Sequence, residues 1–357
     1  MFHEKFVGKI TVACCLLLIC ASFVEAVSDL NYDGIVDARD LYIVGKRYAT
    51  YGIETLRNIA EDYGTVGVMA ELPKYGIYID VFEEGIPIDS EVSEFAFGVG
   101  NFWIRTEWYN SPEDIEAWAF LKTLGIKELP VIFQSAVPAG YDDDWSEWQS
   151  LMTAYLQTAV SLAPDMPAWE IGNEPDLTYN YLGYWHPPMT ATQYMWFLTT
   201  AYNIIKAVNA NALIIGAGFG CSTGVTLLQQ IVDAGALDYL DGVSCHYYIR
   251  WGQVNFDAIK SVVAERKPIW MTETGWTTVD QNGGETAQNE YIVDYLEPAT
   301  GIFATDPAIE VIIYFQLNDD HYPAQPITDD GWALTYGPEG NFGKKMAYYT
   351  FQGYLRG

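Results

Sequence analysis

The chain has 357 residues, half of them hydrophobic, and carries 47 acidic against 18 basic side chains for a formal net charge of −29. So acidic a surface repels nucleic acid, anionic lipid and polyanionic sugars, which excludes those partners and favours a neutral one. The length admits two average domains or one α/β barrel.

At the N-terminus, Lys5 and Lys9 precede an apolar run over residues 10–24, and Val24-Glu25-Ala26 follows as a cleavage site. This pattern reads as a secretory signal peptide over 1–26, and it predicts an exported, extracellular protein. The run is short of the ~20 apolar residues that a membrane-spanning helix needs. No later stretch is long and apolar enough to span a membrane. Cys14, Cys15 and Cys20 fall in this leader. Cys221 and Cys245 fall near the ends of adjacent predicted strands, where a disulfide and a pair of buried thiols are both open.

The next segment, residues 27–58, holds an oxygen-rich loop. Asp29, Asn31, Asp33, Asp37 and Asp40 stand at positions 1, 3, 5, 9 and 12, Gly34 stands at 6, and Ile35 offers its carbonyl at 7. That spacing wraps a 12-residue loop around Ca²⁺. A short apolar helix is expected over 41–48. Together with aspartate at position 12, it resembles one repeat of a dockerin, over residues 28–50. The resemblance implies a structural Ca²⁺ and a cohesin-like scaffold partner. Dockerins carry two such repeats and one is found here, so a Ca²⁺-stabilised cap on the rest of the protein is the other reading.

From residue 59 onward, strand and helix patterns alternate. Strands are expected over 102–105, 129–133, 168–171, 213–217, 242–245, 269–272 and 311–315. Helices are expected over 112–124, 145–163, 191–208, 225–234, 256–264, 285–303 and 344–354. These seven units recur about every 35 residues. A first strand must precede them, and 66–69 and 77–81 both qualify. Alternation of this kind implies a parallel sheet, and eight units in roughly 300 residues imply a (β/α)₈ barrel over 59–357. An open doubly wound sheet would want a GxGxxG or P-loop after an early strand, and neither is present.

Two of the strands deliver a carboxylate at their C-terminal ends. One reads Ala168-Trp169-Glu170-Ile171-Gly172-Asn173-Glu174-Pro175, the other Pro268-Ile269-Trp270-Met271-Thr272-Glu273-Thr274-Gly275-Trp276. Each is a short apolar run broken by Pro or Gly. They end the fourth and seventh strands, which face each other across a barrel. A pair of carboxyls there suits glycosidic bond cleavage. Arg105, in an otherwise apolar strand end, is costly unless paired with a carboxylate. Four histidines in the whole chain argue against a His-based zinc site or a Ser-His-Asp triad.

With these motifs, residues 60–357 resemble the clan A glycoside hydrolases. The resemblance implies a retaining enzyme that cleaves a neutral β-linked poly- or oligosaccharide without an organic cofactor. It makes Glu174 the general acid/base and Glu273 the nucleophile. It makes Arg105, Asn173, His246 and Tyr248 their partners at the substrate, the last two in His246-Tyr247-Tyr248 at the end of the sixth strand. The family often ends its eighth strand with Trp. This chain has Tyr314-Phe315-Gln316 there, so Phe315, Gln316 or Trp332 would take that place. Trp103, Trp108, Trp145, Trp185, Trp251 and, foremost, Trp276 stand at or just after strand ends as candidate sugar platforms. β-Glucan, mannan and xylan stay open as substrates. So do two other roles, a sugar-binding barrel without catalysis and a scaffold-docking subunit.

Overall fold

Eight short apolar runs form the strands β1 (Tyr75–Tyr78), β2 (Trp103–Glu107), β3 (Lys127–Ile132), β4 (Ala168–Ile171), β5 (Leu213–Phe219), β6 (Gly242–Tyr247), β7 (Ile269–Thr274) and β8 (Ile309–Tyr314). In the computed structural model they pair in sequence order, all parallel, and β1 closes on β8. The structure describes residues 73–79, 92, 95–96, 101–181, 184–220, 224–248, 256–263, 266–278, 283–317, 334–336 and 343–355. The barrel unit comprises 72–121 and 126–357. The expected leader (1–26), the Ca²⁺ loop (Asp29 to Asp40), the strand candidate 66–69, Cys221, Trp251 and Trp332 lie outside the described residues. The first strand of the barrel is Tyr75–Tyr78, overlapping the other candidate, 77–81.

Among the described residues, seven helices pack around the strands: α1 (Pro112–Leu124), α2 (Trp145–Leu162), α3 (Ala191–Val208), α4 (Gly224–Asp233), α5 (Phe256–Val263), α6 (Gly284–Leu296) and α7 (Met346–Leu355). Their starts are chemically marked. Asp144 caps α2 by accepting from the Ser146 and Glu147 amides, and Thr190 with Gln193 forms a reciprocal capping box on α3. The acidic loop before α2 thus supplies a helix cap. α6 ends at Leu296, seven residues before its expected end. Pro298 follows, and the residue before a proline is pushed out of the helical region; Glu297 has φ −59° and ψ 127°.

Strand side chains alternate between the barrel interior and the helix layer. The interior holds Tyr78, Trp103, Leu129, Ala168, Ile215, Trp270, Val311 and Ile313. The indoles of Trp103 and Trp270 meet there with ring centroids 5.0 Å apart. The opposite faces bury Ile132, Trp169, Ile171, Ile214 and Val243 against the helices. Two residues beyond Trp103, Ala168 and Trp270, the same inward face presents Arg105, Glu170 and Thr272. An apolar floor therefore carries a polar layer at the C-terminal ends of the strands, where barrel enzymes place their chemistry.

Candidate functional site

Arg105 sits at the centre of this polar layer, 1% exposed. Its three nitrogens go to three different acceptors. Nε donates to Glu170 Oε2 at 2.5 Å, Nη1 to Glu273 Oε1 at 2.7 Å and Nη2 to Asn173 Oδ1 at 2.7 Å. Burial alone would favour loss of its proton, but Glu170 and Glu273 outweigh that and hold it cationic. The Tyr78 ring lies against the guanidinium, with 5.6 Å from Cζ to the ring centroid, and its hydroxyl donates to Glu107 at 3.0 Å.

Glu273 follows Thr272 on β7 and is 12% exposed. Its second oxygen, Oε2, accepts from the Tyr248 hydroxyl at 2.7 Å and lies 3.3 Å from His246 Nδ1. The same His246 Nδ1 lies 2.9 Å from Glu174 Oε1. One ring nitrogen therefore touches both carboxylates, and one oxygen of each lies within 4.8 Å of the other. His246 is buried. Burial opposes its protonation, yet Glu273 and then Glu174 outweigh it, so the imidazole holds its proton more tightly than an ordinary histidine.

Glu174 is 21% exposed and stands with φ +45°, in the left-handed region that side chains other than glycine rarely adopt. Its amide donates to the Gly218 carbonyl at 3.1 Å, which ties this turn to the end of β5. That strand end runs Gly216-Ala217-Gly218-Phe219-Gly220. A Cβ at Gly218, itself at φ +55°, would come 2.6 Å from His246 Nε2, and one at Gly220 would come 2.6 Å from Glu174 Oε1. Only glycine lets this backbone pass so close to both side chains. Asn173 is held from behind. Gln134, in the loop after β3, accepts from its amide at 3.0 Å and donates to its carbonyl at 2.8 Å.

The structure thus brings together six of the seven residues expected at the site: Glu174, Glu273, Arg105, Asn173, His246 and Tyr248. Trp276 is partly buried two residues beyond β7, stacked on Tyr291 at 6.0 Å between centroids. Phe315 packs at 4.9 Å on the Tyr78 ring and at 6.2 Å on that of Tyr248. Two candidate platforms are core instead. Trp103 lines the barrel floor, and Trp108 packs on Trp169 in the helix layer, both at most 1% exposed. Trp145 stacks on Trp148 at 5.1 Å. Cys245 is a buried free thiol. Sequence reasoning missed Glu170, Thr272, Gln134 and the glycines of β5. A signal for Glu170 was present, since an acid inside an apolar strand needs a buried partner. Among the described residues, Glu174, His246 and Glu273 are also the set of three donors close enough to share a cation.

No protein-family model matches the chain, and no curated protein sequence matches it. Solved structures do resemble it. A GH39 β-xylosidase from Caulobacter crescentus shares 15% identity at a TM-score of 0.54, covering 80% of this chain and 72% of that one. The GH53 catalytic domain of Ignisphaera aggregans shares 19% at 0.55, covering 77% and 90%. A GH5_18 protein from Streptomyces cattleya, in complex with GlcNAc, shares 15% at 0.55, covering 80% of each. The fold is a (β/α)₈ barrel. At these identities the likeness speaks to architecture, and the chemistry rests on the side chains of this chain.

Proposed function

We propose that this protein is a retaining glycoside hydrolase that cleaves β-linked bonds in a neutral glycan. The observation that carries the reading is the pair of opposed carboxylates at the barrel mouth, with oxygens within 4.8 Å of one another. Double displacement uses carboxyls ~5–5.5 Å apart, whereas inversion needs ~6.5–9.5 Å to fit a water between them.

Glu273 is the nucleophile. Arg105 and Tyr248 hold its two oxygens and aim it at the anomeric carbon. Glu174 is the acid/base. It protonates the leaving oxygen as the C–O bond breaks and Glu273 forms the glycosyl ester. It then takes a proton from the water that attacks the same carbon and frees Glu273. His246 Nδ1, within reach of both, holds the two carboxylates side by side at the substrate. Asn173, fixed by Arg105 and Gln134, faces the sugar 2-hydroxyl, a contact that strengthens in the transition state. Phe315 stands in this arrangement where a broader indole would floor the cleaved sugar.

The sequence of the preceding residues supports two further proposals. Residues 1–26 direct export, and Asp29, Asn31, Asp33, Ile35, Asp37 and Asp40 bind Ca²⁺, for docking to a cohesin-like partner or as a cap.

The test of the function is release of reducing ends from β-glucan, mannan and xylan. Wild-type protein should act on at least one of them, and Glu273→Ala, with an unchanged circular dichroism spectrum, on none. Tight binding of a glycan without release would favour the sugar-binding role instead. Wild-type-like turnover by the variant would remove Glu273 from the chemistry.

A further inference from the structure

Glu170 lies deeper in the barrel than either carboxylate of the site, on β4 four residues before Glu174, and is fully buried. A buried carboxylate needs a cation and hydrogen bonds to persist. Glu170 has both: Arg105 Nε on one oxygen at 2.5 Å and the Thr272 hydroxyl on the other at 2.7 Å. Both contacts are buried beneath the barrel mouth. Both partners lead to Glu273. Arg105 binds its carboxylate directly, and Thr272 is its neighbour on β7.

The geometry of the guanidinium gives this arrangement its meaning. Arginine presents its N–H groups in a rigid planar fork, so fixing one edge fixes the others. Glu170 takes the inner edge, leaving Nη1 for Glu273 and Nη2 for Asn173. With the inner edge unoccupied, the fork is free to rotate and take both oxygens of Glu273, in competition with Tyr248. The carboxylate would then be turned away from its line of attack, and Asn173 would lose its anchor.

We propose that Glu170 is a positioning residue: through Arg105 it sets the direction in which Glu273 and Asn173 meet the substrate. The inference rests on the glycosidase reading above.

The test is a double-mutant cycle between positions 170 and 105 on the full chain, read as kcat and KM. Glu170→Ala should lower kcat by about 100-fold with KM moved less than about 3-fold, because the lost contact acts on transition-state alignment. Glu170→Gln accepts from Nε and can donate to Thr272, so it should stay within about 10-fold of wild type. Added to Arg105→Ala, Glu170→Ala should cost less than about 3-fold more, since residues acting as one unit are non-additive. A merely structural residue would give penalties that multiply and a Gln variant no better than Ala. Either of those results overturns the proposal.

Removing one partner of a buried pair can prevent folding, so Thr272→Val provides a gentler probe. It should lower kcat about 5- to 10-fold in wild type and leave Arg105→Ala unchanged, as expected if both act through the same guanidinium. Wild-type kcat in Thr272→Val would contradict the positioning role. The rate at which a 2-deoxy-2-fluoro β-glycoside labels Glu273 separates the two levels of the account. A wild type that hydrolyses the matching β-glycoside yet takes no label defeats the retaining-glycosidase reading itself. A labelled wild type with variants that label equally fast defeats only the role of Glu170.

Discussion

His246 Nδ1 and Glu174 Oε1 stand 2.9 Å apart, and the same nitrogen is 3.3 Å from Glu273 Oε2. The imidazole is a buried cation site shared by two acids, and its raised affinity for a proton ties stability to pH. Protonated His246 in the folded state is favoured over the unfolded chain, so its contribution is fully present below pH ~6.5 and fades as pH rises through the raised folded value. Wild type should therefore exceed His246→Asn in thermal stability by more at pH 5.5 than at pH 9. An equal difference at both values would mean that His246 is held neutral.

Gly218 approaches His246 Nε2 so closely that a methyl group would lie 2.6 Å away, on backbone at φ +55°. Gly218→Ala must move the ring, the strand end or both. We expect a loss of about 1–3 kcal/mol in stability from the backbone alone. We also expect a fall in kcat/KM of at least about 10-fold, since a displacement near 1 Å in a site has large kinetic effects. Chemical denaturation and steady-state kinetics on the same sample check both. Normal activity in a destabilised variant would show that His246 tolerates displacement.

Glu128 offers a prediction away from the site. It is buried, and burial pushes its carboxyl up to about 8, although the Thr106 hydroxyl donates to it at 2.6 Å. A carboxyl raised this way binds its proton more tightly when folded. Its cost to stability is absent below pH ~4.5, grows as pH rises, and levels off above about 8. Glu128→Gln, neutral at every pH, should thus stabilise the protein by a few kcal/mol at pH 8 and by little at pH 4.5. Melting curves of both proteins across that range test the sign. A constant difference would mean that Glu128 is paired in a way that cancels its burial.

Most of the barrel was legible because strands buried on both faces read as apolar runs. The carboxylates were legible because a charge closing such a run must have a purpose. Arg105 follows from the same argument, and Glu170 satisfies it equally, but the Asn173-Glu174-Pro175 break that ends the run is the stronger local signal. The inward face was also within reach. Trp103 and Arg105 are two residues apart on one strand, so they share a face, and Trp103 had to lie below Arg105 rather than at the rim. The overlong helix over 285–303 ignored Pro298. The glycines of β5 were of another kind. Their reason is contact with Glu174 and His246, which are distant in sequence, and no local pattern reports it.

Residues 29–40 give an independent prediction. The full chain should bind Ca²⁺ through Asp29, Asn31, Asp33, the Ile35 carbonyl, Asp37 and Asp40, with heat released in calorimetry. Asp33→Ala with Asp40→Ala should abolish it while leaving glycan hydrolysis in the presence of chelator unchanged. Ca²⁺ binding that survives both substitutions would place the ion elsewhere.

The central claim is that Glu273 forms a bond to the substrate with Glu174 as its acid. Incubation with 2-deoxy-2-fluoro β-glycosides bearing good leaving groups tests it directly. Fluorine at C2 disfavours both transition states, and the leaving group restores the first, so the glycosyl-enzyme accumulates. Intact mass should rise by one fluoroglycosyl unit for the matching sugar, and peptide mapping should place it on Glu273. A label on any other residue, or none from a sugar whose β-glycoside the protein hydrolyses, would contradict the account.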